Sequence, residues 1–296
     1  MFKRTVAGRF VRHPSSWRRM APAMWEAPSD PTMHGTLEID VTKALEYLQL
    51  QSEISGTHLT ITHLVAKAVA DSLAQHPECN AFIRRGRVFQ RANVDVFVVV
   101  AVETEVAPDQ EQRADLTGIT IRNADEKSLP DIAREISDRA ASARAGADRE
   151  YAQMKAFFDH TPRIVLKALL KAIPFIQYDL NLDLSRLGIE DAFGSAAVTS
   201  LGMMGIDAAF PAITPLGRAC IGLAVGTIRD RSVAEDGRAV VRPVLPITAV
   251  IDHRILDGFQ AARLSASFRA ILEDPFEALQ RSARETVPVN RQPNPR

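Results

Sequence analysis

Between residues 246 and 272 the chain reads PITAVIDHRILDGFQAARLSASFRAIL, and no other stretch limits the possible folds so strongly. Val244, Leu245, Ile247, Ala249, Val250 and Ile251 form an almost unbroken apolar run, the pattern of a strand covered on both faces. The run stops at Asp252, His253 and Arg254. After Asp257 the apolar period becomes helical, with Ala261, Leu264, Phe268, Ile271 and Leu272 on one face. Asp257 therefore reads as a helix N-cap. One histidine stands at the junction of a buried strand and an amphipathic helix.

An imidazole with an unperturbed pKa of about 6.5 can take and return a proton near neutrality, which makes His253 a candidate general base. The same position suits a structural hydrogen-bonder, and Asp257 has capping as its plain reading. Local chemistry alone does not choose between these roles.

A chain of 296 residues with 46% hydrophobic content can bury one large core, and mixed α/β folds reach this size as single domains. Its 36 basic and 36 acidic residues cancel, so nothing marks a polyanion as partner and nucleic acid is disfavoured. Cys79 and Cys220 fall at a helix end and in an apolar strand, the usual setting of buried free thiols, and a cytoplasmic, reducing location is expected. The basic start (Lys3, Arg4, Arg9, Arg12, Arg18, Arg19) lacks the apolar core of a secretory signal. No apolar run reaches the roughly 18 residues of a membrane span.

Strands are expected at 36–40, 81–90, 94–103 and 117–122, and helices at 42–54, 60–76 and 128–145. VDVFVVVAV (94–102) reads as a central strand, and an acidic, proline-interrupted loop follows it at 104–115. Thr60 precedes the periodic Leu64, Val65, Ala68, Val69 and Leu73 as an N-cap, and Pro77 ends that helix. His58 and His63 read as surface or capping residues, since nothing beside them offers metal-ligand spacing. Ser128 and Pro130 open the third helix and Gly146 stops it. Pro162 and Pro174 bracket a further helix with Ile164, Val165, Leu166, Leu169, Leu170 and Ile173 on a broad apolar face. That face needs a cover: the same core, another subunit, an active-site lid or a membrane surface. His160 beside it reads as an N-terminal turn residue. The chain contains no internal repeat, CxxC pair, glycine-rich phosphate loop or Gly-x-Ser-x-Gly elbow.

Read together, His253, Asp257 and Gly258 resemble the His-x-x-x-Asp-Gly signature of the chloramphenicol acetyltransferase-like superfamily. The longer DHRILDG is similar to the form found in dihydrolipoamide acyltransferases, the acyltransferase component of 2-oxo-acid dehydrogenase complexes. SSWRRMAPAM (15–24), LEIDVTKAL (37–45), ITHLVAKAVADSLAQHPECNA (61–81), IRNADEKSLPDIAREI (121–136), TSLGMMGIDAAFPAITP (199–215) and IGLAVGTI (221–228) continue the likeness in order. The resemblance covers residues 15–275 with one gap, and it implies an α/β (α+β sandwich) fold, a mixed sheet with flanking helices. The implied organisation is a flexible basic N-terminus at 1–14, a catalytic domain at 15–275 with an apolar helical insertion at about 150–192, and a loose tail at 276–296.

The resemblance further implies acyl transfer between coenzyme A and a dihydrolipoyl thiol, with coenzyme A as a substrate and no metal. His253 would be the base and Ser200 the hydroxyl donor to the oxyanion, although Ser200 by itself is an ordinary turn serine before Gly202 and Gly205. Asp257 would be structural, paired with Arg18 (or Arg19) of the opening helix, and Gly258 would permit close backbone approach. Such proteins are trimers whose histidine and serine meet from adjacent subunits, so a homotrimer or larger assembly is expected. Two features depart from the pattern. No lipoyl-lysine module is visible, so a lipoyl carrier would sit on a separate chain. ETEVAPDQEQRADLTG (103–118) replaces the usual Gly-Leu-x-x-Pro-Val segment, which leaves the acceptor open. Transfer to a small hydroxyl or amine, or a trimeric scaffold without turnover, are the alternatives.

Overall fold

The computed structural model describes residues 30–103, 114–144, 161–185, 189, 191–214 and 217–279. The expectations for residues 1–14, Arg18, Arg19, the loop 104–113, Gly146, His160 and the tail from 280 onward lie outside the described residues. The chain divides into two compact units, Met1–Pro31 and Thr32–Arg296, and the described elements all belong to the second.

Nine strands are described: β1 (Thr32–Asp40), β2 (Ala81–Arg84), β3 (Arg87–Gln90), β4 (Val96–Glu103), β5 (Ala114–Ile121), β6 (Ala196–Ser200), β7 (Ile221–Val225), β8 (Arg229–Glu235) and β9 (Arg238–Asp252). Seven of them form a mixed sheet in the order β1-β9-β7-β6-β4-β5, with β8 also paired to β9. The β7/β6 and β6/β4 pairs are parallel and the others antiparallel. β7 is buried at every residue, and β9 is buried from Val244 through Thr248, as their continuous apolar runs require of strands in the middle of a covered sheet. The span 81–90 is not one strand. It is a hairpin, β2–β3, because Arg85 and Gly86 both take positive φ (47° and 74°) and close a two-residue turn.

Five helices of twelve residues or more are described: α1 (Thr42–Ser55), α2 (Ile61–Gln75), α3 (Leu129–Arg144), α4 (Arg163–Pro174) and α5 (Gly258–Glu273). α1, α2, α3 and α5 share one apolar core with the sheet residues Val96, Val98, Ile119, Ile121, Val198, Leu223, Leu245 and Ile247. α2 lies deepest, buried without interruption from Leu64 to Leu73. Two of those residues are charged, and they pair: Lys67 Nζ stands 2.7 Å from Asp71 Oδ1 and donates to the Asp125 carbonyl at 2.8 Å, while Asp71 Oδ2 is buried without a hydrogen-bond partner among the described residues. Burial pushes the Asp71 carboxyl up to about 6, against the pull of Lys67. At the start of α2, the Thr60 hydroxyl accepts from the His63 amide while His63 Nδ1 accepts from the Thr60 amide, a capping box with histidine in the usual glutamate position.

The opposite face of the sheet is covered by the segment 206–214. A Cβ on Gly222 would meet Pro211 and Ile213, the Thr248 hydroxyl donates to the Ala209 carbonyl at 2.5 Å, and His34 packs edge-on against Phe210. Past residue 275 the body continues, correcting the expected loose tail at its start. Residues 275–279 are helical, Phe276 packs edge-on against Tyr47, and Ala278 and Leu279 lie against the core. Among the described residues no helix is long and apolar enough to cross a membrane.

Candidate active site

β9 delivers His253 to a turn held by its own atoms. The last strand residue, Asp252, donates its amide to the Cys220 carbonyl at 3.0 Å, and its carbonyl accepts from both Ile255 and Leu256 amides, each at 3.0 Å. Within that turn His253 Nδ1 lies 2.9 Å from the Leu256 carbonyl. A carbonyl only accepts, so Nδ1 carries the proton and donates, which leaves the lone pair on Nε2. The His253 side chain is exposed. The imidazole thus presents a proton acceptor to whatever approaches.

Asp257 is the N-cap of α5. Its Oδ1 accepts from the Phe259 amide at 2.9 Å and the Gln260 amide at 3.0 Å, while Gln260 Oε1 accepts from the Asp257 amide at 2.9 Å. This closed capping box holds the first turn of α5. Gly258 needs a different account from the expected one. A Cβ there would meet nothing within 4 Å, so within one chain no close approach demands glycine.

Ser200 ends β6, half-buried, opposite Val225 of β7. Among the described residues no group is bonded to its hydroxyl. Two glycines shape the loop that follows. A Cβ on Gly202 would stand 2.7 Å from the Gly226 carbonyl oxygen, and one on Gly226 would stand 2.0 Å from the Asp207 carbonyl oxygen, so two backbone loops touch where any side chain would part them. Beyond them Met203 and Met204 reach outward, 93% and 58% exposed.

One chain does not bring the histidine and the serine together. Ser200 is level with Val225, which is level with Ile247 on β9. His253 lies six residues further along that strand direction, roughly 20 Å away at about 3.3 Å per residue, and two strands to the side. They occupy opposite ends of the sheet. Arg18, the expected partner of Asp257, lies outside the described residues.

Two further groups matter here that the sequence reading passed over. Asp252 counted only as the charge that stops the strand, yet its carboxylate binds Arg254 through Nε (2.9 and 3.2 Å), Nη2 (2.6 Å) and the backbone amide (3.0 Å). Burial works against this charge and the Arg254 contacts outweigh it, so the carboxyl sits below its usual range. An acid two residues before its amide partner is a recognisable turn signal. The Leu256 carbonyl, by contrast, has no side-chain signature at all.

The inserted helix is anchored near the His253 end. α4 does not stop at Pro174: a wider π-turn, Phe175–Asp179, carries it on, with the Leu180 amide reaching back to the Phe175 carbonyl at 3.0 Å. Tyr178, buried, donates to the Gly217 carbonyl at 2.7 Å. Arg91 lies over the rings of Phe82 and Tyr178 and pairs with Asp191 at 2.5 Å, and Arg218 lies over Tyr178 and pairs with Asp179. The apolar face is only partly covered by this packing, since Ile164 is 86% and Phe175 52% exposed.

Cys79 and Cys220 are free and buried, their thiols pushed up to about 11 chiefly by burial. Among the described residues no cluster of three or more histidine, cysteine or acidic side chains could hold a metal ion.

Residues 10–156 and 185–280 match the family model of the 2-oxoacid dehydrogenases acyltransferase catalytic domain. The unmatched interval contains α4. The chain is 28% identical over 246 residues to the dihydrolipoyllysine-residue acetyltransferase component of the acetoin cleaving system of Bacillus subtilis, covering 81% of this chain and 49% of that protein. It spans about half the length of the curated relatives it matches. Among solved structures, the cubic core of the pyruvate dehydrogenase multienzyme complex superposes with a TM-score of 0.59 at 21% identity, over 92% of this chain and 95% of that one. Azotobacter vinelandii dihydrolipoamide acetyltransferase, studied for the role of a serine, a histidine and an asparagine in its catalytic mechanism, superposes with a TM-score of 0.58 at 23% identity, over 85% of each chain. These likenesses show a shared fold, the mixed sheet with flanking helices.

Proposed function

The chain belongs to the family of 2-oxoacid dehydrogenase acyltransferase catalytic domains, and from that premise we propose that it exchanges an acyl group between coenzyme A and a dihydrolipoyl or other thiol acceptor. The observation that carries the reading is the bond from His253 Nδ1 to the Leu256 carbonyl at 2.9 Å, which leaves Nε2 as the free base.

A thiol with a pKa near 8.5 is only a few per cent ionised at neutral pH, so a base must take its proton as it attacks. In the proposed step Nε2 of His253 accepts the proton of the attacking thiol, and the sulfur forms a bond to the thioester carbonyl carbon. The carbonyl oxygen becomes an oxyanion that accepts a hydrogen bond from the Ser200 hydroxyl, a contact worth roughly 3 to 4 kcal/mol in comparable oxyanion holes. Collapse breaks the bond to the departing sulfur, and the imidazolium returns its proton to that thiolate. Neither a redox change nor a Lewis acid is needed.

The separation of the two groups along the sheet supports a site shared between copies, with His253 of one subunit facing Ser200 of the next in a homotrimer or a larger assembly built on it. The lipoyl carrier, in this reading, sits on a separate chain. Two buried free thiols fit a reducing, cytoplasmic location.

The test is acyl exchange between acyl-coenzyme A and free dihydrolipoamide, in wild type and His253→Ala. Equal rates in the two remove the base from the mechanism. Transfer to a hydroxyl or amine in place of the thiol would keep the centre and change the acceptor.

A further inference from the structure

We propose that Asp252 is a positioning residue: its carboxylate, locked by Arg254, holds the turn whose Leu256 carbonyl fixes the tautomer of His253. The inference rests on the reading of His253 as the general base and adds what keeps that base in its working form.

The argument is one of connectivity. His253 is exposed, and among the described residues one bond orients its ring, from Nδ1 to the Leu256 carbonyl. An exposed imidazole without such a partner trades it for water and populates both neutral tautomers, only one of which has its lone pair on Nε2. The bond is therefore as dependable as the position of that carbonyl. Leu256 is held by its amide, which donates to the Asp252 carbonyl, and by its wholly buried side chain.

Asp252 is in turn tied to the sheet by its amide to Cys220. Its carboxylate closes residues 252–254 with three bonds to the Arg254 guanidinium and one to the Arg254 amide. Residues 253 to 256 thus all hang from one aspartate. An asparagine in its place could still accept from the Arg254 amide, but half of its head would be an amide donor facing a guanidinium that has only donors. The fork geometry would be lost and the turn loosened. Groups that orient a reacting side chain without touching substrate change activity from about 10-fold, as for partners of metal-bound histidines, to about 10⁴-fold in serine-protease triads, and a clamp one step removed from the imidazole belongs at the low end.

The experiment uses the full chain labelled with 15N-histidine, in which the His253 signal is the one among seven histidines that disappears in His253→Ala. In wild type above the histidine titration, Nε2 is expected to be the unprotonated nitrogen. In Asp252→Asn the signal is expected to move toward a mixture of tautomers. The kcat of thioester exchange is expected to fall about 10-fold while KM for acyl-coenzyme A stays within about two-fold.

Arg254→Gln, at a side chain 58% exposed, should act in the same direction and carries the test should Asp252→Asn not fold. Combined, the two changes should cost little more than either alone, because they break one clamp. An unchanged tautomer with kcat within about two-fold of wild type would overturn the assignment. Exchange surviving in His253→Ala would sink the base itself, but the tautomer readout needs no turnover and still decides what Asp252 holds.

Discussion

At the end of the sheet that carries His253, the turn is tied to its neighbour strand by the Asp252 amide to Cys220, and its other polar contacts are made within a few residues. Asp252 binds Arg254, Ile255 and Leu256, and Leu256 binds the imidazole. At the end that carries Ser200, two loops meet backbone to backbone at Gly202 and Gly226, and Met203, Met204 and Ile206 are 93%, 58% and 39% exposed. Among the described residues the first end is built mainly from short-range hydrogen bonds within the chain. The second leaves a hydroxyl beside exposed apolar side chains, the face that the neighbouring copy would cover in the proposed assembly. The difference teaches where the proposed site is preorganised by its own strand and where it waits for a neighbour.

The largest expected effect comes from breaking the His253 end. His253→Ala should lower the kcat of thioester exchange by about 1000-fold, within the range of a lost general base, as measured by steady-state kinetics; a fall under tenfold would leave the turn without its proposed task. Ser200→Ala should cost about 100-fold in kcat, the loss of one oxyanion donor, with KM for acyl-coenzyme A nearly unchanged.

The Ser200 end can be tested without touching either residue. Met204→Asp places a charge in the apolar ledge and should weaken self-association by at least about tenfold, read by light scattering across a dilution series. Unaltered association would move the contact elsewhere. Complementation sharpens the comparison further. When His253→Ala and Ser200→Ala chains are dissociated, mixed and reassembled, about a quarter of the shared sites should combine an intact histidine with an intact serine and regain wild-type turnover. Failure of the mixture to recover any activity would mean that the two ends do not meet across copies.

The smallest effect lies in the helix layer, where His63, like His253, is closed by a local backbone bond but is largely buried. Burial, with a lesser push from His58, lowers its pKa to about 4. The unfolded chain then binds a proton that the folded one refuses, so stability present above pH 6.5 is lost as pH falls toward 4. His63→Gln keeps an acceptor for the Thr60 amide and should spare up to about 2 kcal/mol of the stability lost between pH 7 and 5, read from urea midpoints. Asp71, raised to about 6, works in the opposite sense, so wild type and variant are compared at the same pH.

Much of the helix layer could be read directly from the residues. Thr60 before an apolar period, Pro77 after it, Ser128 with Pro130, and Asp257 with Gln260 mark boundaries that the structure keeps within a residue or two, because caps depend on groups three or four positions apart. Two turns went unread for different reasons. Arg85 lacks the usual side chain of a left-handed position, so the β2–β3 hairpin left only Gly86 as a signal. Asp236-Gly237, which joins β8 to β9 through positive φ at both residues, carries a plain one. Pro162 and Pro174 do bracket α4, but the π-turn that prolongs it through Phe175–Asp179 left no signal of its own.

By itself the sequence determined what depends on near neighbours: the two-sided burial of β7 and β9, the strand-to-helix junction at Asp252–Asp257, and the family motif that makes His253 the proposed acid-base group. Tertiary structure alone decided what depends on register and on backbone atoms. The parallel pairing of β6 with β7 and the antiparallel pairing of β7 with β9 send Ser200 and His253 to opposite ends of one sheet. The Leu256 carbonyl chooses the imidazole nitrogen that stays free. A carbonyl oxygen is the same in every residue, and a strand pairs with partners far away in the chain, so neither choice is written in side-chain spacing.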